Sequence, residues 1–369
     1  MMQKVKVGII GCGNISSIYL KNCTEIFDIL EVSACADIIY EKAVEKAKEF
    51  GIPKVCTVDE ILQDESIEII LNLTVPKAHA DINLRALEAG KNVYSEKPLS
   101  ISVDEGKTIL EKAAEKKLLV GCAPDTFLGG GLQTCRKLID DGWIGRPVAA
   151  SAFMMIHGPE DWHPNPDFYY KEGGGPMLDM GPYYLTALVS LLGPVKRLSG
   201  IAGISFDERI IGNPQRYGEK IKVETPTHVA GILEFKNGEI ATIVTSFDVW
   251  KSRLPCIEIY GSEGTLIVPD PNTFSGPVLL NRFGKGDWME VPLTHGFCEN
   301  SRGLGLADMA YALRTGRKHR ANGELAYHVL DIMNGILNSS KDGMHYILPS
   351  TCERPSPVPC VLPKNAYGI

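Results

Sequence analysis

Apolar and polar positions along residues 1–123 alternate between two rhythms. KVKVGII, EVSACAD, IEIILNLTV, KNVYSE and KLLVGC are near-continuous apolar runs. Between them ISSIYLKNC, YEKAVEKAKEFG, HADINLRALEAG and VDEGKTILEKAAEKK carry apolar residues at helical spacing, the second stopped by Gly51. Strands that are apolar on both faces and separated by helices predict a parallel sheet covered on both sides. After Ala123 the rhythm changes. A helix (LQTCRKLIDDG) and a strand (PVAASAFMMI) lead into a glycine-rich helix, followed by THVAGILEF, EIATIVTSFDV, CIEIYG and GTLIVP with turn signals KNGE and GSEG between them. Short strands joined by such turns predict an antiparallel meander. GLADMAYALRTG and GELAYHVLDIMNGIL are helical patterns that close this region. The expected fold is therefore α/β: an N-terminal Rossmann parallel sheet over 1–123, then a C-terminal α+β domain over 124–369 with a large open, mainly antiparallel sheet.

The glycine-rich helix, GGGPMLDMGPYYLTALVSLLGP over 173–194, places an acid and two phenols at the mouth of an apolar segment. At 100° per residue Leu185, Leu188, Val189 and Leu192 point one way, with Tyr184 nearer that side. Asp179 and Tyr183, four residues apart, share the opposite side. Tyr184 is read as packing, and Asp179 and Tyr183 as a pair aimed at a partner. Pro182 either starts the helix in its first turn or kinks it.

Composition narrows the function. The chain has 369 residues, 44% apolar and 22% charged, with a net charge of −7. It carries no basic footprint for nucleic acid. No apolar run reaches the length of a membrane span, and no signal peptide precedes the first strand, so the expected location is cytoplasmic. Ten cysteines are scattered without a C-x-x-C, several inside apolar strands. That usage fits free thiols in a reducing compartment, with no metal site expected.

GIIGCGNIS places Gly8, Gly11 and Gly13 between the first strand and the first helix. A G-x-G turn lets the backbone approach a pyrophosphate at a helix N-terminus. Ser16 holds the third position of the fingerprint, where glycine or alanine is usual. Asn14 and Ile15 complete the loop. Asp37 ends the second strand pattern at the place where an acid accepts hydrogen bonds from the adenosine ribose and repels a 2′-phosphate. Ile38 and Ile39 follow it, with no arginine for that phosphate. The cofactor expected is NAD.

YSEKPLS, over 94–100, falls where the fifth strand pattern ends, and ligands of open parallel sheets bind beyond the carboxyl ends of the strands. GIIGCGNIS, LNLTVPKAHADINLRALEAGKNVYSEKP and GGGPMLDMGPYY together resemble the glucose–fructose oxidoreductase, inositol dehydrogenase and rhizopine-catabolism (Gfo/Idh/MocA) family over nearly the whole chain. The resemblance implies a Rossmann domain, a second domain whose open sheet commonly serves oligomerisation, and hydride transfer between a nicotinamide and a sugar or polyol. It makes Lys97 the signature lysine of the site and the bond before Pro98 a candidate cis peptide. It places Thr74, His79 and Glu96 beside the cofactor, with core packing the equal alternative for His79. The family's second motif, D-x-G-x-H-x-x-D, is represented by Asp179, Gly181, Tyr183 and Thr186. Tyrosine in place of the histidine resembles the glucose–fructose oxidoreductase branch, where it is the catalytic acid/base.

The chemistry is consistent with that assignment. A hydride leaves carbon only as the hydroxyl proton is taken, so a base must reach that oxygen. A phenol of pKa ~10 is a poor base, and an ammonium favours its phenolate and stabilises a developing alkoxide. Tyr183 with Lys97 is a workable catalyst, with Asp179 orienting Lys97 or a second hydroxyl. HGPEDWHPNPDFYY, over 157–170, has the composition of a sugar-stacking loop, with Trp162 and His163 as substrate contacts. Asp125 and Thr126 in CAPDTFLGGG are further candidates for substrate or nicotinamide. The leading expectation is an NAD-dependent dehydrogenase acting on a secondary ring hydroxyl of a sugar or glycoside, the glucosyl 3-hydroxyl included. The alternatives are NAD-assisted glycoside cleavage through a transient keto sugar and a non-catalytic nucleotide and sugar sensor. The expected partners are a small sugar or glycoside and further copies of the chain, in a homo-oligomer.

Overall fold

Six parallel strands form the first sheet: β1 (Val5–Ile10), β2 (Leu30–Ala36), β3 (Lys54–Val55), β4 (Ile69–Asn72), β5 (Asn92–Ser95) and β6 (Val120–Cys122). Their order is β3-β2-β1-β4-β5-β6, every pair parallel. The computed structural model describes residues 2–360. Helices α1 (Ser16–Glu25), α2 (Tyr40–Phe50), α3 (Val58–Gln63), α4 (Pro76–Glu88) and α5 (Val103–Lys116) connect the strands. Sequence patterning did not anticipate β3 or α3, both too short for a period. α3 depends on its start signal instead, a capping box in which Thr57 and Glu60 satisfy each other's backbone N–H. One core cluster joins Ile10, Ala34, Ile70 and Val93 from the strands to Ile61, Ala86, Leu87 and Ile109 from the helices. The near-continuous apolar strands follow from this two-sided burial.

The strand order reverses between β1 and β4, and the loops after both strands open at the carboxyl edge of the sheet, where dinucleotides bind in such folds.

The chain divides into two compact units, the first built from the described residues of Met1–Gly130, His295–Leu330 and Pro355–Ile369, the second from Gly131–Thr294 and Asp331–Arg354. In the second unit α6 (Gly130–Asp140) leads into β7 (Pro147–Met155), then α7 (Gly175–Leu192) and β8 (Val195–Gly203). A two-stranded hairpin follows, β9 (Glu208–Ile210) with β10 (Lys220–Lys222). The remaining strands are β11 (His228–Phe235), β12 (Ile240–Ser246), β13 (Ile257–Gly261), β14 (Gly264–Val268), β15 (Val278–Arg282), β16 (Met289–Val291) and, near the end, β17 (Tyr346–Ile347). Helices α8 (Leu304–Thr315) and α9 (Gly323–Asp342) lie between β16 and β17 in the chain.

The large sheet runs β16-β15-β14-β13-β7-β12-β11-β8-β17. It is mainly antiparallel but not a simple meander. β7, first of these strands in the chain, sits in the middle and pairs parallel with β12. One face is covered by α7, which packs on β7, β11 and β12. Ile336 of α9 reaches the same sheet where Gly200 and Gly231 pair across β8 and β11, and a Cβ on Gly200 would lie 2.6 Å from its atoms. On the other face Ile201, Ile232, Ile240 and Ile347 stand exposed. α8 belongs to the first unit and packs on β6.

Candidate active site

The glycine loop is shaped by the backbone. Gly11 has φ +103°, and a Cβ there would lie 2.6 Å from the carbonyl of Leu73. Only glycine allows this approach of the β1 loop to the β4 loop. Gly13 has open space where a side chain would project. Asn14 and Ile15 lead into α1, whose first turn has no side-chain cap and no acidic residue. Its N–H groups suit an anion. Ser16, in the third fingerprint position, turns its hydroxyl back to donate to Gly13 O at 2.6 Å.

Asp37 stands half-buried just beyond β2. Its carboxylate accepts from Cys12 N at 2.7 Å and Ile39 N at 2.8 Å, which fixes its orientation and leaves lone pairs for a diol. Ile38 beside it is 97% exposed, an apolar flank with no cation for a 2′-phosphate. The cradle at Gly11, the uncapped helix and the oriented acid fit NAD.

The β4 and β5 loops are braced from below. Asn72 accepts from the Thr74 hydroxyl at 2.7 Å and donates to Asn83 at 2.8 Å. His79 is buried between two carbonyls, Nδ1 at 2.6 Å from Pro98 O and Nε2 at 3.0 Å from Thr74 O. Burial pushes its imidazole pKa down, against the pull of those carbonyls. Glu96 accepts from the Tyr19 hydroxyl of α1 at 2.7 Å and from Lys97 N at 2.9 Å. Its carboxylate thus ties the helix after the glycine loop to the backbone of the signature lysine. The Lys97–Pro98 bond is cis, and the Lys97 side chain is half-buried. Tyr19, Asn72 and Asn83 carry this bracing without having stood out in the sequence. The available signal was a lone polar residue inside an otherwise apolar segment, as at Asn72 in IEIILNLTV.

Asp125 and Thr126 are both buried. Asp125 Oδ2 accepts from Gly303 N and Gly305 N, each at 2.9 Å, so that oxygen is spent on the start of α8. Burial wins over these two N–H groups and pushes the carboxyl up to about 6.

In the second unit α7 begins at Gly175 with Pro176 in its first turn, so Pro182 lies inside the helix. Of the two expectations for Pro182, the one that starts the helix is excluded, and Leu178 O receives no backbone donor from it. From Gly181 to Leu192 every residue of α7 is buried, on both sides of the wheel. Asp179 is half-buried, and Tyr183 is 8% exposed. Tyr184 packs deeper, beside the Cys256 thiol, and burial raises its phenol pKa.

The 157–170 loop is held by a buried ion cluster that the sequence did not reveal. Arg209 of β9 donates through Nε to Glu160 at 2.8 Å, through Nη1 to Asp248 at 2.9 Å and through Nη2 to Glu160 again. Tyr170 also donates to Glu160. Gly158 has no room for a Cβ beside that phenol. Trp162 and His163 lie in the loop so anchored, Trp162 64% exposed and His163 half-buried. Burial lowers the His163 pKa, and the charge of Asp179 pulls it back up.

Residues 5–123 match the oxidoreductase family with an NAD-binding Rossmann fold, and residues 132–267 match the GFO/IDH/MocA C-terminal domain. The chain belongs to the GFO/IDH/MocA oxidoreductase family. It is therefore an NAD-binding oxidoreductase. Among relatives of this family, the scyllo-inositol 2-dehydrogenase (NAD(+)) of Bacillus subtilis is 25% identical over 271 residues, 73% of this chain and 75% of that protein. The 1,5-anhydro-D-fructose reductase of Ensifer adhaerens is 26% identical over 251 residues, 66% of this chain and 68% of that protein. A levoglucosan dehydrogenase solved in complex with NADH shares the fold, with a TM-score of 0.83 at 19% identity over 94% of this chain and 100% of that one. Among the described residues no helix is long and apolar enough to cross a membrane, and no group of three or more His, Cys, Asp or Glu could hold a metal ion.

Proposed function

We propose that this GFO/IDH/MocA member moves hydride between NAD and a secondary ring hydroxyl of a sugar or glycoside, the glucosyl 3-hydroxyl included. The observation that carries the reading is the NAD cradle, a β1 loop pressed against Leu73 at Gly11 and an Asp37 carboxylate held by Cys12 N and Ile39 N. The relatives supply the substrate class, since inositol, anhydrofructose and levoglucosan are all polyhydroxylated rings.

Bound NAD supplies the hydride acceptor. Tyr183 takes the proton from the hydroxyl as its carbon loses hydride, and returns it in the reverse direction. Lys97, through its ammonium, favours the phenolate of Tyr183 and steadies negative charge on the substrate oxygen. Asp179 orients Lys97 or a neighbouring hydroxyl, and Trp162 and His163 contact the ring. The second domain, expected over 124–369 and built around 131–294 and 331–354, binds this substrate and joins copies of the chain through the outer face of its large sheet. Removing the exposed Ile201, Ile232, Ile240 and Ile347 from water supports that role.

The test is a screen of sugars and glycosides with added NAD, following NADH absorbance and product mass together. A keto product with matching NADH supports the reading. Released aglycone without net NADH replaces it with glycoside cleavage. Tight NAD binding with neither turnover nor hydride exchange replaces it with a sensor.

A further inference from the structure

The 157–170 loop presents rings to solvent, and several of its polar groups are paired within the protein. Trp162 is 64% exposed and Phe168 48%. They belong to a continuous set in which Trp162 meets His163 at 5.6 Å, His163 meets Phe168 at 5.4 Å, and Phe168 lies 4.0 Å from Tyr169. Several polar groups of the same loop are already paired. Asp167 is paired with Arg216, Glu160 with Arg209 and Tyr170, and His163 Nδ1 accepts from Asn165 N at 3.0 Å. The carbonyl of His163 accepts from Asn213 at 2.8 Å. The short turn Pro166–Tyr170 also packs against the start of α7. A Cβ on Gly174 would lie 2.4 Å from Phe168 O, and His163 feels the charge of Asp179. The turn that carries Phe168 therefore adjoins the start of the helix that carries Asp179.

We propose that Trp162 and Phe168 form a subsite for a planar aryl group carried on the sugar, so that the substrate is an aryl glycoside rather than a free sugar. This rests on the sugar-oxidation reading and extends it. A second sugar ring would bring hydroxyls that need hydrogen-bond partners, and Glu160, Asp167, Tyr170 and the His163 carbonyl already have theirs within the protein. A flat aryl group asks only for ring faces, and its burial removes apolar area of both surfaces from water. The ion cluster around Arg209 holds the rings in place before binding, which lowers the ordering cost.

The test uses the full-length protein loaded with NAD, with phenyl and methyl β-glycosides of glucose, galactose and xylose. Binding is read by calorimetry and oxidation by NADH and product mass. The wild type binds the phenyl glycoside of its preferred sugar about 10-fold more tightly than the methyl glycoside. Phe168→Ala and Trp162→Ala each bring that ratio toward one, and Trp162→Phe retains it. Circular dichroism and NAD affinity confirm that each variant is folded. Equal binding of phenyl and methyl glycosides by the wild type overturns the aryl subsite and leaves sugar oxidation standing. A ratio unchanged in both alanine variants does the same. Phenyl preference without hydride transfer from any glycoside supports the subsite and overturns the oxidation reading. Binding of no glycoside in the panel overturns both.

Discussion

The glycine loop and the loop proposed to meet the substrate are built from opposite materials. The loop at Gly11 is made of backbone. A glycine pressed against Leu73, an uncapped helix and two peptide N–H groups on Asp37 do the work. The loop over 157–170 is made of side chains, with rings outside and a buried Arg209 between Glu160 and Asp248 inside. Backbone recognition suits a ligand that does not change, such as a pyrophosphate. Side-chain recognition can be altered one residue at a time, which suits the part of the molecule that selects a substrate.

Breaking the ion cluster should have the largest effect. Arg209→Leu leaves two buried carboxylates without their cation, at a cost of about 3–5 kcal/mol, read by denaturant unfolding. A loss under about 1 kcal/mol would mean that packing rather than charge holds the 157–170 loop.

The first unit offers a contrasting buried acid. Asp125 has peptide N–H partners at Gly303 and Gly305, and its carboxyl is pushed up from 3.8 to about 6. Because the folded-state value is the higher one, this group favours folding below about pH 4, and the benefit is lost as pH rises through about 6. Asp125→Asn keeps an acceptor for both N–H groups without the charge. Relative to the wild type it should gain roughly 3 kcal/mol between pH 4 and pH 7, measured by unfolding at both values. A difference that does not change with pH would show that Asp125 is well solvated or paired.

The smallest effect of the three belongs to the glycine loop. Gly11→Ala forces a side chain onto the Leu73 backbone at positive φ. It should weaken NAD binding by roughly 1–3 kcal/mol, seen by calorimetry. Unchanged affinity would remove Gly11 from the cradle.

The same contrast explains what the sequence disclosed. Backbone sites leave sequence signatures, because only certain residues permit the conformation. Gly11 and the Lys97–Pro98 turn were legible for that reason, and Asp37 because an acid ending the second strand has a known use. The long strands were legible because burial on both faces demands unbroken apolar runs. Arg209 and Glu160, 49 residues apart in the chain, leave no local pattern. Their pairing exists only once β9 has folded back on the loop. The return of 295–330 to the first unit is equally silent, since an apolar helix face records that it is buried and not which sheet buries it. The central placement of β7 escaped for a related reason. A strand's own pattern gives its faces, while its neighbours are set by long-range pairing. In α7 the wheel separated Tyr183 from the leucines, but the helix is enclosed on every side from Gly181 onward, so the wheel could not rank exposure.

The central claim is that Tyr183 carries the proton. Tyr183→Phe removes one hydroxyl and keeps the ring. Single-turnover hydride transfer to NAD, measured with a substrate the wild type oxidises, should fall roughly 100- to 10,000-fold while the dissociation constant for NAD stays within about twofold. Transfer at the wild-type rate, with NAD binding equally intact, would contradict it.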